Sequence, residues 1–314
     1  MTAGAEDARA PHAALQMSAR PNAARSPRLS IGVVIRACRP RQWSKNLLLL
    51  AAPAAAGVIA HASVAANLAV AIVAFCMLSS ATYLLNDVRD RADDRRHPLK
   101  QLRPVASGAM SLRAALTIAA GLAIGGLALA AAVRLELAAV GCGYLLLTAS
   151  YSLLWRRVIV VDILAIAAGF VLRAIAGGAA TDIPLSRWFL VVTSCGAIFV
   201  VAGKRYAELF GEARGERTRN TLRRYSASAL QAILALAAAG AVIAYAVWAF
   251  RRPEHGPWYE ITIVPVVLWL SRYAMLIGRG AGEAPEELIL RDRTLLLLTL
   301  AWTALFLSGI YVGR

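Results

Sequence analysis

The sequence is short of cysteine, histidine and acidic residues, and each shortage closes off a class of protein. Its four cysteines, Cys38, Cys76, Cys142 and Cys195, lie far apart, and three fall inside apolar runs. That spacing excludes a disulfide framework and a thiolate metal site, and leaves the cysteines as small apolar packing residues. The four histidines are equally scattered, so no histidine metal centre is expected. Residues 1–30 lack any continuous apolar stretch and are rich in Ala, Arg, Pro and Ser. They read as a disordered N-terminal tail and not as a cleaved signal peptide, which leaves 31–314 as a single polytopic membrane domain.

What is present in excess is apolar surface. The 314 residues are 59% hydrophobic and only 17% charged, with a mean hydropathy of +0.59, more than a water-soluble core of this size requires. Apolar runs long enough for a membrane helix lie near 46–61, 64–85, 111–133, 135–154, 158–180, 186–203, 228–250, 259–278 and 294–312. The pattern predicts an all-α membrane protein, a bundle of nine transmembrane helices. The first run is the weakest, being short and interrupted by Pro53 and Gly57, and is expected to tilt or kink.

A formal net charge of +16 would suggest nucleic acid in a soluble chain. Here the basic residues gather in alternate loops, for example Arg36 to Lys45, Arg89 to Arg103, Lys204 to Arg224 and Arg279 to Arg293. The lipid bilayer is therefore the expected partner, with no nucleic acid. The positive-inside rule places the N-terminus and these loops in the cytoplasm, in a plasma (inner) membrane, multi-pass arrangement.

Three charged clusters carry chemistry. The first is NDVRDRADDRRHP, residues 86–98. With the second helix continued through it, Asp87, Asp90 and Asp94 fall within about 60° of one another, with Asn86 beside them and Asp93 turned away. Like charges at that spacing repel, so the stripe calls for a cation. Oxygen ligands suit Mg²⁺, with Mn²⁺ as the alternative. The competing reading is a solvated helix end whose acids pair with neighbouring arginines. The second cluster puts Asp162 and Arg173 on one side of the fifth helix, eleven residues apart. A charge this deep must face the bundle interior or a wet cavity, so Arg173 points inward, either to backbone carbonyls or to an anionic headgroup. The third begins at GKRYAEL, where Lys204 and Arg205 are placed to hold phosphate oxygens. The segments RPRQWSKN, with Lys45, and LRDR, with Arg291 and Arg293, add further cations.

Taken together, NDVRDRADD after the second run and YSLLWRRVIVVD before the fifth resemble the UbiA superfamily of intramembrane prenyltransferases, over residue 36 to the end. RPRQWSKN, LRAIAGG, GKRYAEL and LRDR make the chain most similar to members that transfer phosphoribose. Members that prenylate aromatic rings usually carry a second aspartate-rich motif, whereas here Ile166 stands four residues after Asp162. The resemblance implies transfer of 5-phosphoribose from 5-phosphoribosyl-1-diphosphate to a polyprenyl phosphate for cell-wall arabinan synthesis, with the active site at the cytoplasmic face. It implies Asp87, Asp90, Asp94 and Asp162 as catalytic residues, with Asn86 and the first three acids around the metal. Lys45, Arg103, Tyr151, Arg156, Arg173, Lys204, Arg205, Tyr206, Arg291 and Arg293 would contact substrates, Arg156 standing where relatives commonly have Lys. A homo-oligomer stays open. Two other functions remain at this stage: an aromatic or quinone prenyltransferase, and a transporter of lipid-linked solutes. The missing second motif counts against the first, and the gathering of charge at one rim against the second.

Overall fold

In a computed structural model the structure describes residues 29–155, 159–213, 226–251, 257–281 and 285–311. The expected tail, apart from its last two residues, lies outside them, as do Arg156 and the arginines from Arg214 to Arg224. The described residues are helical without strands. Eight helical stretches are long and apolar enough to cross a membrane. They are α3 (Ala62–Arg89), α5 (Leu112–Val133), α6 (Leu135–Ser150) with the turn that extends it, α7 (Ile159–Thr181), α8 (Arg187–Ala213), α9 (Ala227–Phe250), α10 with α11 (Trp258–Ile261, Ile263–Gly278), and α13 (Arg293–Tyr311). A short helix α1 (Ile31–Cys38) precedes them, α4 (Arg91–Asp94) follows α3, and α12 (Pro285–Arg291) leads into α13.

Helix starts are set locally. Ser30, Ser111 and Ser226 accept hydrogen bonds from the backbone N–H three residues on, capping α1, α5 and α9. Asp292 caps α13 through Leu295 N at 2.9 Å and pairs with Arg272 at 2.8 Å. The hydrogen bond from that guanidinium holds the Asp292 carboxyl below the usual carboxylate range. Helix–helix contacts are made by small residues: Ala71 and Ala74 of α3, Ala130 of α5 and Ala176 and Ala180 of α7 are all fully enclosed. Small side chains let backbones approach closely where lipid supplies no hydrophobic force between helices. Large apolar side chains such as Ile124, Leu146 and Leu236 face outward instead, as a lipid-facing surface requires.

The first expected span is where the structure departs from the sequence reading. In place of an α-helix over 46–61, the chain forms a 3₁₀ segment, Pro40–Leu50, then a single turn and a half of α2 (Ala51–Ala55) and a turn at Gly57 with φ 71°. Runs of 3₁₀ this long are uncommon because their hydrogen-bond geometry is poorer, so tertiary contacts must hold it. Trp43 Nε1 donates to Ser80 Oγ at 3.1 Å, and Asn46 Nδ2 donates to Ser79 Oγ at 3.4 Å, both on α3. Arg173 Nε on α7 donates to Asn46 Oδ1 at 2.8 Å. Leu49, with no exposed surface, packs with Ala176 and Ala180. The segment still runs the length of the bundle: Arg39 before it meets Asp87 at one end, and Ala55 packs beside Trp248 and Trp302 at the other. The greater rise of a 3₁₀ helix, about 2 Å per residue, gives eleven residues the reach a short α-helix would lack.

The close pass of this segment over α7 requires glycine, since a Cβ at Gly177 would overlap the Leu49 carbonyl, a backbone group that cannot swing aside. Gly177→Ala is therefore expected to destabilise the purified protein by about 1–3 kcal/mol. Gly143→Ala, where a Cβ meets nothing within 4 Å, should leave thermal unfolding unchanged. Equal melting of the two variants would contradict this packing.

Candidate active site

The carboxylates of the first cluster sit where α3 ends. The helix stops at Arg89, with Asp90 at φ −86°, ψ 4°, and α4 begins at Arg91, so the expected uninterrupted helix is broken at its middle acid. Backbone bonds from Asp90 N to Asn86 O (2.8 Å) and Asp94 N to Asp90 O (2.9 Å) nonetheless keep helical spacing across the joint. Asp87 and Asp94 are buried, at 1% and 4% exposure. Asp90 receives Arg89 Nε at 3.3 Å. The structure thus brings two of the three carboxylates together, and no group of three acids, histidines or cysteines is close enough to hold a metal among the described residues.

Two arginines occupy the space between the acids. Arg103 Nη1 lies 2.7 Å from Asp94 Oδ2 and 3.3 Å from Asp87 Oδ1, so one cationic nitrogen bridges both carboxylates. Arg39 forms a second ion pair with Asp87 Oδ1. The loop that delivers Arg103 is fixed by Arg95 Nε donating to Ala106 O at 2.9 Å and by burial of Val105 and Met110. Arg39 is delivered by a backbone in the left-handed region, φ 54°, and its guanidinium lies 5.3 Å from the Tyr83 ring centroid. That conformation is costly for a side-chain-bearing residue and is concentrated at functional sites. Arg39 opens the RPRQWSKN segment that the sequence offers as a further source of cations for the carboxylates, but the sequence does not single it out from Arg41 and Lys45.

Asp87 Oδ2 is buried without a hydrogen-bond partner. An orphaned carboxylate oxygen is costly unless something else satisfies it. Two buried carboxylates already arranged around one positive nitrogen, one with an unused oxygen, fit a hard divalent cation. Such an ion binds through one or two carboxylates, with water and substrate phosphate completing its shell. Arg39 and Arg103 are each 28% exposed in their side chains, so both can move to a ligand in front of the acids.

The second cluster joins the first through one irregular turn. After α6 the chain winds into a π-helical turn, Tyr151–Trp155, of the kind that often marks functional sites. Ser152 Oγ donates to Asn86 Oδ1 at 2.6 Å, while Tyr151 donates its hydroxyl to Asp162. Asp162 is also paired with Arg205 Nε at 2.6 Å, and Arg205 Nη1 with Glu208 at 2.7 Å. Arg205, expected to grip phosphate, is thus engaged by two acids and only 6% exposed. Tyr206 accepts from Gln231 Nε2 at 2.8 Å. Ser152 lies in the YSLLWRRVIVVD segment quoted above, but its role arises from a contact between residues 66 positions apart and is not legible there.

The remaining cations fall in different places. Lys45 and Lys204 are partly buried, Lys204 beside Arg205 in the chain. Arg291 is 80% exposed in its side chain and pairs with Glu287, and Arg293 is exposed. Neither contacts the carboxylates. Arg173 is buried at 5% exposure. Besides Asn46 it donates to Gly169 O at 2.8 Å and Tyr144 Oη at 2.9 Å, and it stacks 4.7 Å from the Tyr144 centroid. Below Asn46, toward the end away from the carboxylates, an apolar cavity of about 610 Å³ opens between Leu47, Ala51, Ala55, Trp188, Trp302 and Phe306. Its volume is that of a ligand cavity.

The Asp162–Arg205 pair is buried on both sides, at 5% and 8% side-chain exposure. Arg205→Met should therefore cost about 3–5 kcal/mol of stability by stranding a carboxylate. Asp162→Asn in the same chain should recover part of that loss in thermal unfolding. A single variant as stable as the parent would contradict the pairing.

Comparison with known proteins follows the same lines. A model of the UbiA prenyltransferase family matches residues 47–300. The chain is 41% identical over 300 residues to decaprenyl-phosphate phosphoribosyltransferase of Mycolicibacterium smegmatis, covering 91% of this chain and 94% of that one. It is also 41% identical over 288 residues to the protein of the same name from Corynebacterium glutamicum, covering 89% and 87%. A UbiA homologue from Archaeoglobus fulgidus, solved bound to DMAPP and Mg²⁺, superposes with a TM-score of 0.67 over 89% of this chain and 99% of that chain at 18% identity, which shows a shared fold. With family model, relatives and fold in agreement over nearly the whole described length, the chain belongs to the UbiA prenyltransferase family.

Proposed function

We propose that this protein transfers 5-phosphoribose from 5-phosphoribosyl-1-diphosphate to a polyprenyl phosphate, releasing diphosphate, with its carboxylate end at the cytoplasmic face of the plasma membrane. The observation that carries the reading is the Asp87–Asp94 pair bridged by Arg103 at the charged rim, with Asp162 spent on Arg205 and not paired with a second acid. Extensive identity to proteins named for that activity supports it, as does the one-sided distribution of Lys and Arg.

Asp87 and Asp94 would hold Mg²⁺, or Mn²⁺ in its place, with Asp90 at the edge of the set. When bound, that ion supplies positive charge to the diphosphate leaving group. Arg39 and Arg103, displaced from the carboxylates, are placed to donate to diphosphate oxygens. Asn86, its carbonyl oxygen engaged by Ser152, keeps its amide N–H groups for the same ligand. Cleavage of the ribose C1–O bond puts negative charge on diphosphate and oxocarbenium character on the sugar. Cations fixed at the leaving side favour that distribution over the ground state, which lowers the barrier. The acceptor phosphate is already anionic, so no general base is needed. Its oxygen forms the new bond to C1 from the opposite face, with inversion. The polyprenyl chain would lie in the apolar cavity beside the 3₁₀ segment, leaving its phosphate at the polar end. Lys45, on the 3₁₀ segment, and Lys204, next to Arg205, would contribute to phosphate binding.

The test is transfer of label from 5-phosphoribosyl-1-diphosphate into the organic phase by purified protein with polyprenyl phosphate and Mg²⁺. Transfer should vanish with EDTA and in Asp87→Ala and Asp94→Ala variants that remain folded. Near-normal turnover in either would contradict the metal assignment. Arg103→Gln should lower kcat/KM for the donor about ten- to a hundredfold, the worth of a charged hydrogen bond, with KM for the lipid unchanged.

A further inference from the structure

At the end of the bundle away from the carboxylates, two guanidinium groups converge on one indole. Arg187, at the start of α8, and Arg251, just past α9, have Cζ atoms 5.4 and 5.3 Å from the Trp188 ring centroid. Both are exposed, and neither has an acidic partner among the described residues. Arg134, also at this end, is already neutralised by Glu136 at 3.3 Å and Asp182 at 2.9 Å. Two like charges gathered on one ring repel, and the ring's electron-rich face offsets only part of that. An anion beside them would offset that charge.

The surroundings define that anion's chemistry. Trp188 is among the residues that line the apolar cavity. Val191, one turn after Arg187 in α8, and Phe250, just before Arg251, expose 41% and 62% of their surface. A phosphate flanked by apolar side chains at membrane depth belongs to a lipid. The geometry points to a headgroup site for an anionic glycerophospholipid, its phosphate drawn to the Arg187 and Arg251 charges gathered on Trp188 and its acyl chains lying along the exposed Val191 and Phe250. Trp188 also lines the cavity given above to the polyprenyl chain, but the arginines lie at the opposite end from Asp87 and Asp94, so binding of a headgroup here does not depend on that reading. Charge complementarity excludes a zwitterionic lipid as the preferred occupant, because its ammonium group would return the positive charge to the rim.

The test reads Trp188 itself. Purified full-length protein in phosphatidylcholine nanodiscs receives increasing amounts of dibrominated phosphatidylglycerol, and quenching of Trp188 is taken as the difference between wild type and Trp188→Phe. Each arginine at a membrane surface favours an anionic lipid by about fivefold. Arg187→Gln/Arg251→Gln should therefore raise the half-quenching mole fraction about twenty- to thirtyfold. If that variant fails to fold, each single change should raise it about fivefold. Arg134→Gln should behave as wild type. The proposal fails if dibrominated phosphatidylcholine quenches Trp188 as effectively as the glycerol lipid, or if the folded arginine variants respond as wild type. Release of the lipid by millimolar inorganic phosphate would also overturn it, showing a site for soluble anions instead.

Discussion

Arg173 is a positive charge buried within the bundle with no carboxylate paired to it among the described residues, and much of the architecture is what makes that tolerable. Its donors are taken by Asn46, the Gly169 carbonyl and Tyr144, and its plane is stacked on the Tyr144 ring. Removing a guanidinium from water is expensive unless every donor is met and the charge is spread over polarisable groups. Meeting them ties α7 to α6 and to the 3₁₀ segment, and Asn46 passes the tie on to α3. Two functional consequences follow from the same contacts. The chain before Asn46 is held so that Arg39 reaches Asp87, and the chain after it forms one wall of the apolar cavity.

The site on the carboxylate side is governed by the opposite problem. Asp87 and Asp94 are too buried to stand as bare anions, and in this structure arginine nitrogens pair with both, leaving only Asp87 Oδ2 unmet. A carboxylate pair whose cation comes from partly exposed side chains is poised for exchange. A divalent ion and a polyanionic ligand can take over the acids and the arginines respectively, so that charge is conserved within the site. The Asp162–Arg205–Glu208 network differs because its central pair, Asp162 and Arg205, lies deep. It holds the helix ends together, and Tyr151 and Ser152 couple that rigid part to Asn86.

Chemically, the bundle separates its tasks along its length. Cationic and acidic groups collect at one rim, apolar surface fills the lower half, and Arg173 and Asn46 mark the boundary between them. An amphiphilic ligand with a phosphate head and an isoprenoid tail is matched by that division without any large rearrangement. The far rim, with Arg187 and Arg251 on Trp188, repeats the pairing of cation with apolar surface at the opposite end.

The sequence by itself determined whatever depends on local composition and period. Eight of the apolar runs became long helices, the helical spacing of Asp87 and Asp94 put both on one side of the chain, and the cost of a charge in lipid turned Arg173 inward. The tertiary structure decided what depends on partners distant in the chain. The first run became 3₁₀ because Asn46 and Trp43 bond to α3 and Arg173 bonds to Asn46, contacts that compensate for poorer helical geometry. Asp90 met Arg89 at a break between α3 and α4, Arg205 was claimed by Asp162 and Glu208, and Ser152 met Asn86. Periodicity reports which face of a helix is apolar, but not which buried polar group will find which partner. That is settled only when desolvated charges must be satisfied all at once in the packed bundle.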